Sequence, residues 1–135
     1  MAQQYSTTLR NAMLDVIEST IGTDAVLKIR TGTQPATVAT ADSGTVLASL
    51  TLPTDWMAAA ASGSKAKSGT WSDTSADATG TAAHWRLYAS DGTTCHLQGT
   101  VTATGGGGDM TLATATITAA TIISVTSFTL TEGNA

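Results

Sequence analysis

Two strand-like segments carry the polar side chains that come nearest to a chemical site in this sequence. The only two histidines of the chain lie there, His84 in the first segment and His96 in the second. A zinc site normally needs three or four ligands, and neither segment contains a carboxylate. The chain also lacks the Gly-x-Ser-x-Gly turn that presents a serine nucleophile in many hydrolases. The sequence therefore predicts no metal ion, no cofactor and no enzymatic activity.

The same two segments predict a hairpin with one apolar and one polar face. A two-residue turn at Asp91-Gly92 would mix the faces, whereas a shift of one residue separates them. We therefore expect a loop of three or five residues around Asp91, Gly92 and Thr93, or a β-bulge beside it. The apolar face then carries Trp85, Leu87, Ala89, Cys95, Leu97 and Val101. The polar face carries His84, Arg86, Tyr88, His96, Gln98 and Thr100.

This polar face has two interpretations. It is either the solvated surface of a sheet or a contact surface for a partner protein. Arg86 and Tyr88 favour the second interpretation, because Arg and Tyr are enriched at protein interfaces. We therefore predict an interface at this face, with the candidate residues His84, Arg86, Tyr88, His96 and Gln98.

Two other features are interpreted as structural. The run Gly105–Gly108 joins two strand-like segments and ends at the negative charge of Asp109, whereas a phosphate-binding loop lies between a strand and a helix. We expect a flexible hairpin connection there. The single cysteine, Cys95, cannot close an intrachain disulfide, and we expect a small, buried apolar side chain.

Composition excludes some partners and favours self-association. The 135 residues carry a net charge of -4, and their six Lys and Arg are scattered, which argues against nucleic acid. No apolar run approaches the roughly 20 residues of a membrane span. Only 12% of the residues are charged and 4% are aromatic, so the core is built largely from small side chains. We expect contacts with other copies to add stability, in a trimer rather than a dimer.

One helix is predicted before the strands, in an N-terminal arm of residues 1–23. It spans residues 8–21, with Ser6 or Thr7 at its start and Gly22 at its end. Its apolar face holds Leu9, Ala12, Met13, Val16, Ile17 and Ile21, and its polar face holds Arg10, Asn11, Asp15 and Glu18. The helix either covers the sheet or grips a neighbouring subunit, and Leu9 and Met13 are the candidate contacts.

Period-two patterns predict a single β domain over residues 24–135. Residues 31–44 interrupt them as a long surface loop. The strand-like runs are residues 25–30, 45–52, 84–89, 95–103, 110–118 and 122–131. Short turns between the last four runs favour an antiparallel arrangement. The predicted fold is therefore mainly β, an antiparallel β-sandwich of jelly-roll or Ig-like type with one N-terminal amphipathic α-helix.

The order of these segments resembles a family of structural proteins of tailed-bacteriophage virions. The matching stretches are residues 6–15 (STTLRNAMLD), 45–50 (TVLASL), 75–82 (SADATGTA), 85–88 (WRLY), 98–101 (QGTV) and 126–131 (TSFTLT). The resemblance implies a capsid decoration, or cement, protein that is made in the host cytoplasm. Such a protein binds the major capsid protein on the outer surface of the shell and stabilises it.

A second virion role stays open, namely a tail-associated module that binds a carbohydrate or receptor. Trp56 and Trp71 lie in loop-like segments where a sugar ring could stack on an indole. Exposure of both side chains in one concave patch would favour that role, and burial of both would remove its main support.

Overall fold

A computed structural model describes residues 3–133, so the first two and last two residues of the predicted arm and domain lie outside the described range. Within it the chain forms one helix and ten strands. The helix is α1 (Thr7–Ile21). The strands are β1 (Val26–Arg30), β2 (Val46–Thr51), β3 (Ser64–Ala66), β4 (Ser72–Asp73), β5 (Gly80–Thr81), β6 (His84–Tyr88), β7 (Cys95–Ala103), β8 (Met110–Leu112), β9 (Thr116–Ile117) and β10 (Ile123–Thr131).

Eight of these strands form one curled sheet. Its order is β2-β1-β6-β7-β8-β10-β3, and β4 pairs with the beginning of β10. The Ser49 amide of edge strand β2 donates a hydrogen bond to the Asp73 carboxylate of β4 (3.0 Å), which draws the two ends of the sheet together. Strands β5 and β9 form a separate pair. The prediction of a mainly β fold with an N-terminal helix is confirmed, whereas a sandwich is not.

The sheet is mixed because the glycine-rich run does not form a hairpin. Strand β8 runs parallel to β7, with Val101 beside Met110 and Ala103 beside Leu112. The connecting loop crosses β7 closely at Thr102, where a Cβ on Gly106 would lie 2.7 Å from the Thr102 Cβ. Glycine tolerates such a close approach because it has no side chain. The predicted hairpin connection at Gly105–Gly108 is therefore wrong.

The bulge expected in the β6–β7 hairpin is confirmed. Leu87 pairs with Leu97 but Tyr88 pairs with Cys95, so His96 is the extra residue. Ala89 bonds to Thr94, which leaves the four residues 90–93 in the loop. The bulge places Cys95 on the polar face, opposite to its predicted side.

The core contains a cluster of all three tryptophans and the only phenylalanine. The rings of Trp56 and Trp71 have centroids 6.0 Å apart, and Phe128 lies 5.1 Å from Trp71 and 5.2 Å from Trp85. The aliphatic side chains of β1, β2 and β6 pack around this cluster. Trp85 lies over Gly99, where a Cβ would come within 2.7 Å of the indole. Position 99 must therefore lack a side chain for the indole to occupy this place.

Both predicted ends of α1 are confirmed. The Ser6 hydroxyl accepts a hydrogen bond from the Leu9 amide (3.2 Å), and the Gly22 amide donates to the Glu18 carbonyl at the other end. Gly22 has a φ of 90°, which favours glycine. No helix within residues 3–133 is long and apolar enough to span a membrane.

Candidate functional site

The predicted polar face of β6 lies inside the molecule. His84, Arg86 and Tyr88 are 0%, 1% and 1% exposed, because residues 31–44 fold over them. The Arg86 guanidinium donates to the carbonyls of Val38 (2.6 Å) and Thr40 (3.0 Å). A partner protein cannot reach these side chains, so neither the solvated-surface nor the interface interpretation holds for them.

Asp42 holds the covering loop in place. Its carboxylate lies 2.6 Å from Arg30 and 2.5 Å from Arg86, and it accepts a hydrogen bond from the Tyr88 hydroxyl (2.7 Å). Partial burial works to raise the pKa of Asp42, but the Tyr88 bond and the two arginine charges outweigh it, and the pKa lies below its ordinary 3.8. Burial, and then the bond to Asp42, raise the pKa of Tyr88 to about 12. The carboxylate is therefore ionised and the phenol protonated at neutral pH.

Two more residues of the β7 strand contact the loop or its partners. The Gln98 side-chain amide donates to the Pro35 carbonyl (2.7 Å), and the half-buried Cys95 sulfur accepts from Arg86 Nε (3.2 Å). Cys95 is thus a partner of a charged group rather than the buried apolar residue we expected. Together with the ion pairs of Asp42, these contacts fix residues 31–44 to the sheet. We call this set of contacts the 31–44 latch.

His84 is part of the same buried layer. Its Nδ1 lies 2.8 Å from the Gly32 carbonyl, and since a carbonyl only accepts, Nδ1 carries the proton. Burial lowers the pKa of His84 below its ordinary 6.5; the Gly32 bond opposes this, and the charges of Arg30 and Arg86 add to it. His84 is therefore neutral in the folded protein at neutral pH.

This burial predicts a loss of stability in mild acid. As pH falls below about 6.5, His84 protonates in the unfolded chain before it does so in the folded chain, so the unfolding free energy decreases. Urea unfolding at about pH 7.5 and about pH 5 measures the decrease. We expect a smaller pH dependence in His84→Gln than in the wild type. An unchanged pH dependence in His84→Gln would contradict the assignment.

His96 lies apart from the other predicted site residues. The bulge directs it toward α1, where it lines a shallow groove of about 200 Å³. The lining residues are Val16, Ile17, Thr20, Ile21, His96 and Leu97, without a carboxylate among them. Within residues 3–133, no three His, Cys, Asp or Glu side chains lie close enough together to hold a metal ion.

The polar side of α1 faces the body of the protein. Lys65 of β3 is only 3% exposed, and its ammonium lies 2.7 Å from Asp15 and 3.0 Å from Glu18. Burial works to lower the pKa of Lys65, but the bonds to both carboxylates outweigh it, and the pKa lies above 10.5. The same carboxylates accept the backbone amides of Ala60 and Met57. These ionic contacts fix the middle of α1.

Two further polar residues fix the first half of the helix. The Arg10 guanidinium donates to the Glu132 carbonyl (3.2 Å), and the Asn11 side chain accepts from the Gly63 amide (2.9 Å). Gly63 has a φ of 74°, and a Cβ there would lie 2.6 Å from the Arg10 guanidinium. The segment of residues 57–65 therefore contacts the polar side of α1 closely, and a side chain at position 63 would clash with Arg10.

These anchors turn α1 by roughly a third of a turn from its predicted orientation. Leu14 and Ile21 are its buried residues. Leu9 is 47% exposed, Val16 is 58% exposed, Ala12 is exposed and Met13 is half-buried. We call these four residues the α1 stripe. Of the predicted apolar face, Ile17 and Ile21 pack against the core, so α1 covers the sheet with its last turn, whereas the candidate contact Leu9 is exposed and Met13 is half-buried.

The sequence pattern did not predict how α1 is anchored, because Lys65 lies 50 positions after Asp15. One signal was available, since Asp15 and Glu18 lie three residues apart on one side of a helix that has no lysine. The 31–44 latch had a weaker signal, the single acidic residue Asp42 in an otherwise uncharged loop.

Comparison with known proteins adds no assignment: no protein-family model, curated protein or solved structure matches this chain. Trp56 and Trp71, the two indoles that could stack on a sugar ring, are 0% and 1% exposed. Their burial removes the main support for a sugar-stacking site.

Proposed function

We propose that this protein is a non-catalytic structural component of a tailed-bacteriophage virion. In this role it is a decoration protein that binds the major capsid protein on the outside of the shell. The observation that carries the proposal is the orientation of α1, which is held by its charged residues and presents an apolar stripe to solvent.

An amphipathic helix on a monomeric protein normally buries its apolar side. Here Leu9 and Val16 are exposed, while Asp15 and Glu18 bind the buried Lys65. Contiguous exposed apolar surface is typical of an interaction site. The sequence resembles structural proteins of virions, so the partner that we propose for this site is another protein of the assembled virion.

The proposed mechanism is differential binding. A module that binds the assembled shell and not its free subunits stabilises the shell by the difference in binding free energy. Many symmetric copies make a modest contact at each site effective. The polar groups of β6 serve a different purpose, since they hold the module's own loop rather than a ligand.

The tail-associated alternative is less well supported. Its sugar-binding form requires exposed aromatic rings, and both candidate indoles lie within the core. Imaging virions that carry this chain at near-atomic resolution separates the two roles, because it locates the chain on the head, the tail tube or a fibre.

Deletion and add-back test the decoration role. We expect particles that lack this chain to assemble but to release their DNA at a lower temperature than complete particles. Adding the purified protein back restores heat resistance. Val16→Glu restores less, whereas the matched control Ile122→Glu, at a residue 71% exposed and outside α1, restores it fully. Particles whose heat release is unaffected by deletion, or density on the tail alone, would exclude the proposal.

A further inference from the structure

We propose that a gap in the sheet between β7 and β10 binds an extended segment of a partner protein as an additional strand. The gap lies beyond Met110, the first residue of β8, and we call it the strand slot. The strand slot is separate from the α1 stripe, on which the proposed function rests, so either surface can bind without the other.

Two strand edges border the strand slot without a partner strand. Strand β8 lies between β7 and β10, and its first residue, Met110, pairs with Val101 on one side and with Phe128 on the other. Strand β7 begins six residues before Val101, at Cys95, and β10 continues three residues beyond Phe128, to Thr131. Among residues 3–133, no strand pairs with these two stretches on the side of the slot. They border a cavity of about 400 Å³.

Main-chain groups of both edges point into the strand slot. The N–H and C=O groups of successive strand residues point to opposite sides. On β7, the Thr100 amide donates to Asp109 on the slot side (2.9 Å), so the main chain of Gln98 points into the slot as well. On β10, the even-numbered residues bond the segment that contains β3, which directs the main chain of Thr129 and Thr131 into the slot. An added strand can therefore bond both edges.

The inner face of the strand slot suits a small side chain that carries an oxygen. Leu97, Leu130 and the indole of Trp85 line this face. The indole N–H of Trp85 is buried and has no acceptor within residues 3–133, whereas the indoles of Trp56 and Trp71 both donate to carbonyls. A threonine of the added strand supplies a hydroxyl acceptor for this N–H and a methyl group for the two leucines.

The outer face of the strand slot suits a cation. Asp109 is the only charged residue that lines the slot in the described part of the chain. Its Oδ2 accepts both the amide and the hydroxyl of Thr100, which leaves Oδ1 without a donor there. The buried Oε1 of Gln98 also lacks a donor. A lysine two strand positions from Asp109, about 7 Å away, reaches these oxygens. The partner segment therefore alternates β-branched and basic residues.

A peptide titration tests the strand slot. The probe is the acetylated and amidated peptide Thr-Lys-Val-Lys-Thr, whose sequence reads the same in both directions and so fits parallel and antiparallel insertion. We expect it to shift the amide NMR signals of Gln98, Thr129 and Thr131 in the isotope-labelled protein. Methylating the main-chain nitrogens of both lysines blocks one edge of the peptide without changing its charge, and should raise the dissociation constant about tenfold or more. No shift at about 1 mM peptide, or equal binding of the methylated peptide, would overturn the proposal.

Two variants test the charge of the strand slot. Asp109→Asn keeps an oxygen acceptor for Thr100 and should weaken binding of the unmethylated peptide several-fold. Asp55→Asn makes the same charge change at an exposed residue outside the slot and should leave binding unchanged. Equal effects of the two variants would reduce recognition to net charge and overturn the proposal. Slot signals that shift with protein concentration alone would mean that a second copy fills the slot, which also overturns it. A peptide that fails to bind leaves the shell contact of α1 intact.

Discussion

Replacing Asp42 with Ala is expected to lower the unfolding free energy by about 1.5–3 kcal/mol, because two buried arginines lose their carboxylate, while solvent that reaches the 36% exposed Asp42 side chain screens part of the interaction. Arg30 and Arg86 are 6% and 1% exposed, and within residues 3–133 Asp42 is the only acidic residue that forms an ion pair with either. Its loss also leaves the Tyr88 hydroxyl without its acceptor. Chemical denaturation of the variant and the wild type measures the difference.

The latch makes a second, local prediction for the same variant. Cys95 lies under the 31–44 loop beside Arg86, so loosening the loop should increase the rate at which a thiol reagent modifies it. Asp42→Asn keeps an oxygen acceptor and should fall between Ala and wild type. Asp55→Ala, which removes an exposed carboxylate after β2, is the matched control and should change neither stability nor labelling.

The contribution of Asp42 depends on pH in a defined direction. Because the folded-state pKa lies below 3.8, the ionised carboxylate stabilises the fold above that value. The stabilisation is lost as pH falls through the folded pKa. The difference between wild type and Asp42→Ala should therefore shrink in strong acid. A difference that stays constant with pH would mean that Asp42 acts by packing and not by charge.

Local patterns predicted the parts of this fold that depend on neighbouring residues. The alternation in β6 and β7 required either an odd loop or a bulge, and the bulge is found at His96. The capping residues Ser6 and Gly22 likewise marked the ends of α1. Each of these features is decided by residues only a few positions apart, where side-chain period and backbone preference act directly.

Features decided by distant residues were not predictable in this way. The orientation of α1 depends on Lys65, fifty positions after Asp15. Periodicity identifies which side of a helix is apolar, but a buried cation on another element can rotate the helix about its axis and expose part of that side. Likewise, the alternation of β6 predicted a polar face open to solvent or to a partner. Nothing in that strand indicates that residues 31–44 cover this face.

Replacing Trp71 with Ala is expected to cost about 3–5 kcal/mol, a large share of the roughly 5–15 kcal/mol of a typical domain. Trp71 is 1% exposed and contacts both Trp56 and Phe128, so its loss leaves a cavity between two rings. It also leaves the Ser68 carbonyl without the indole N–H that bonds it at 3.1 Å. A core with so few large side chains has little else to fill the space.

Two variants separate this effect from a general sensitivity to mutation. Trp71→Phe keeps an aromatic ring and should retain a larger part of the stability, whereas Ile122→Ala removes an exposed apolar side chain and should change it by less than about 0.5 kcal/mol. Thermal and urea unfolding followed by far-UV circular dichroism measure all three. If Trp71→Ala were as stable as Ile122→Ala, the aromatic cluster would not be the centre of the core.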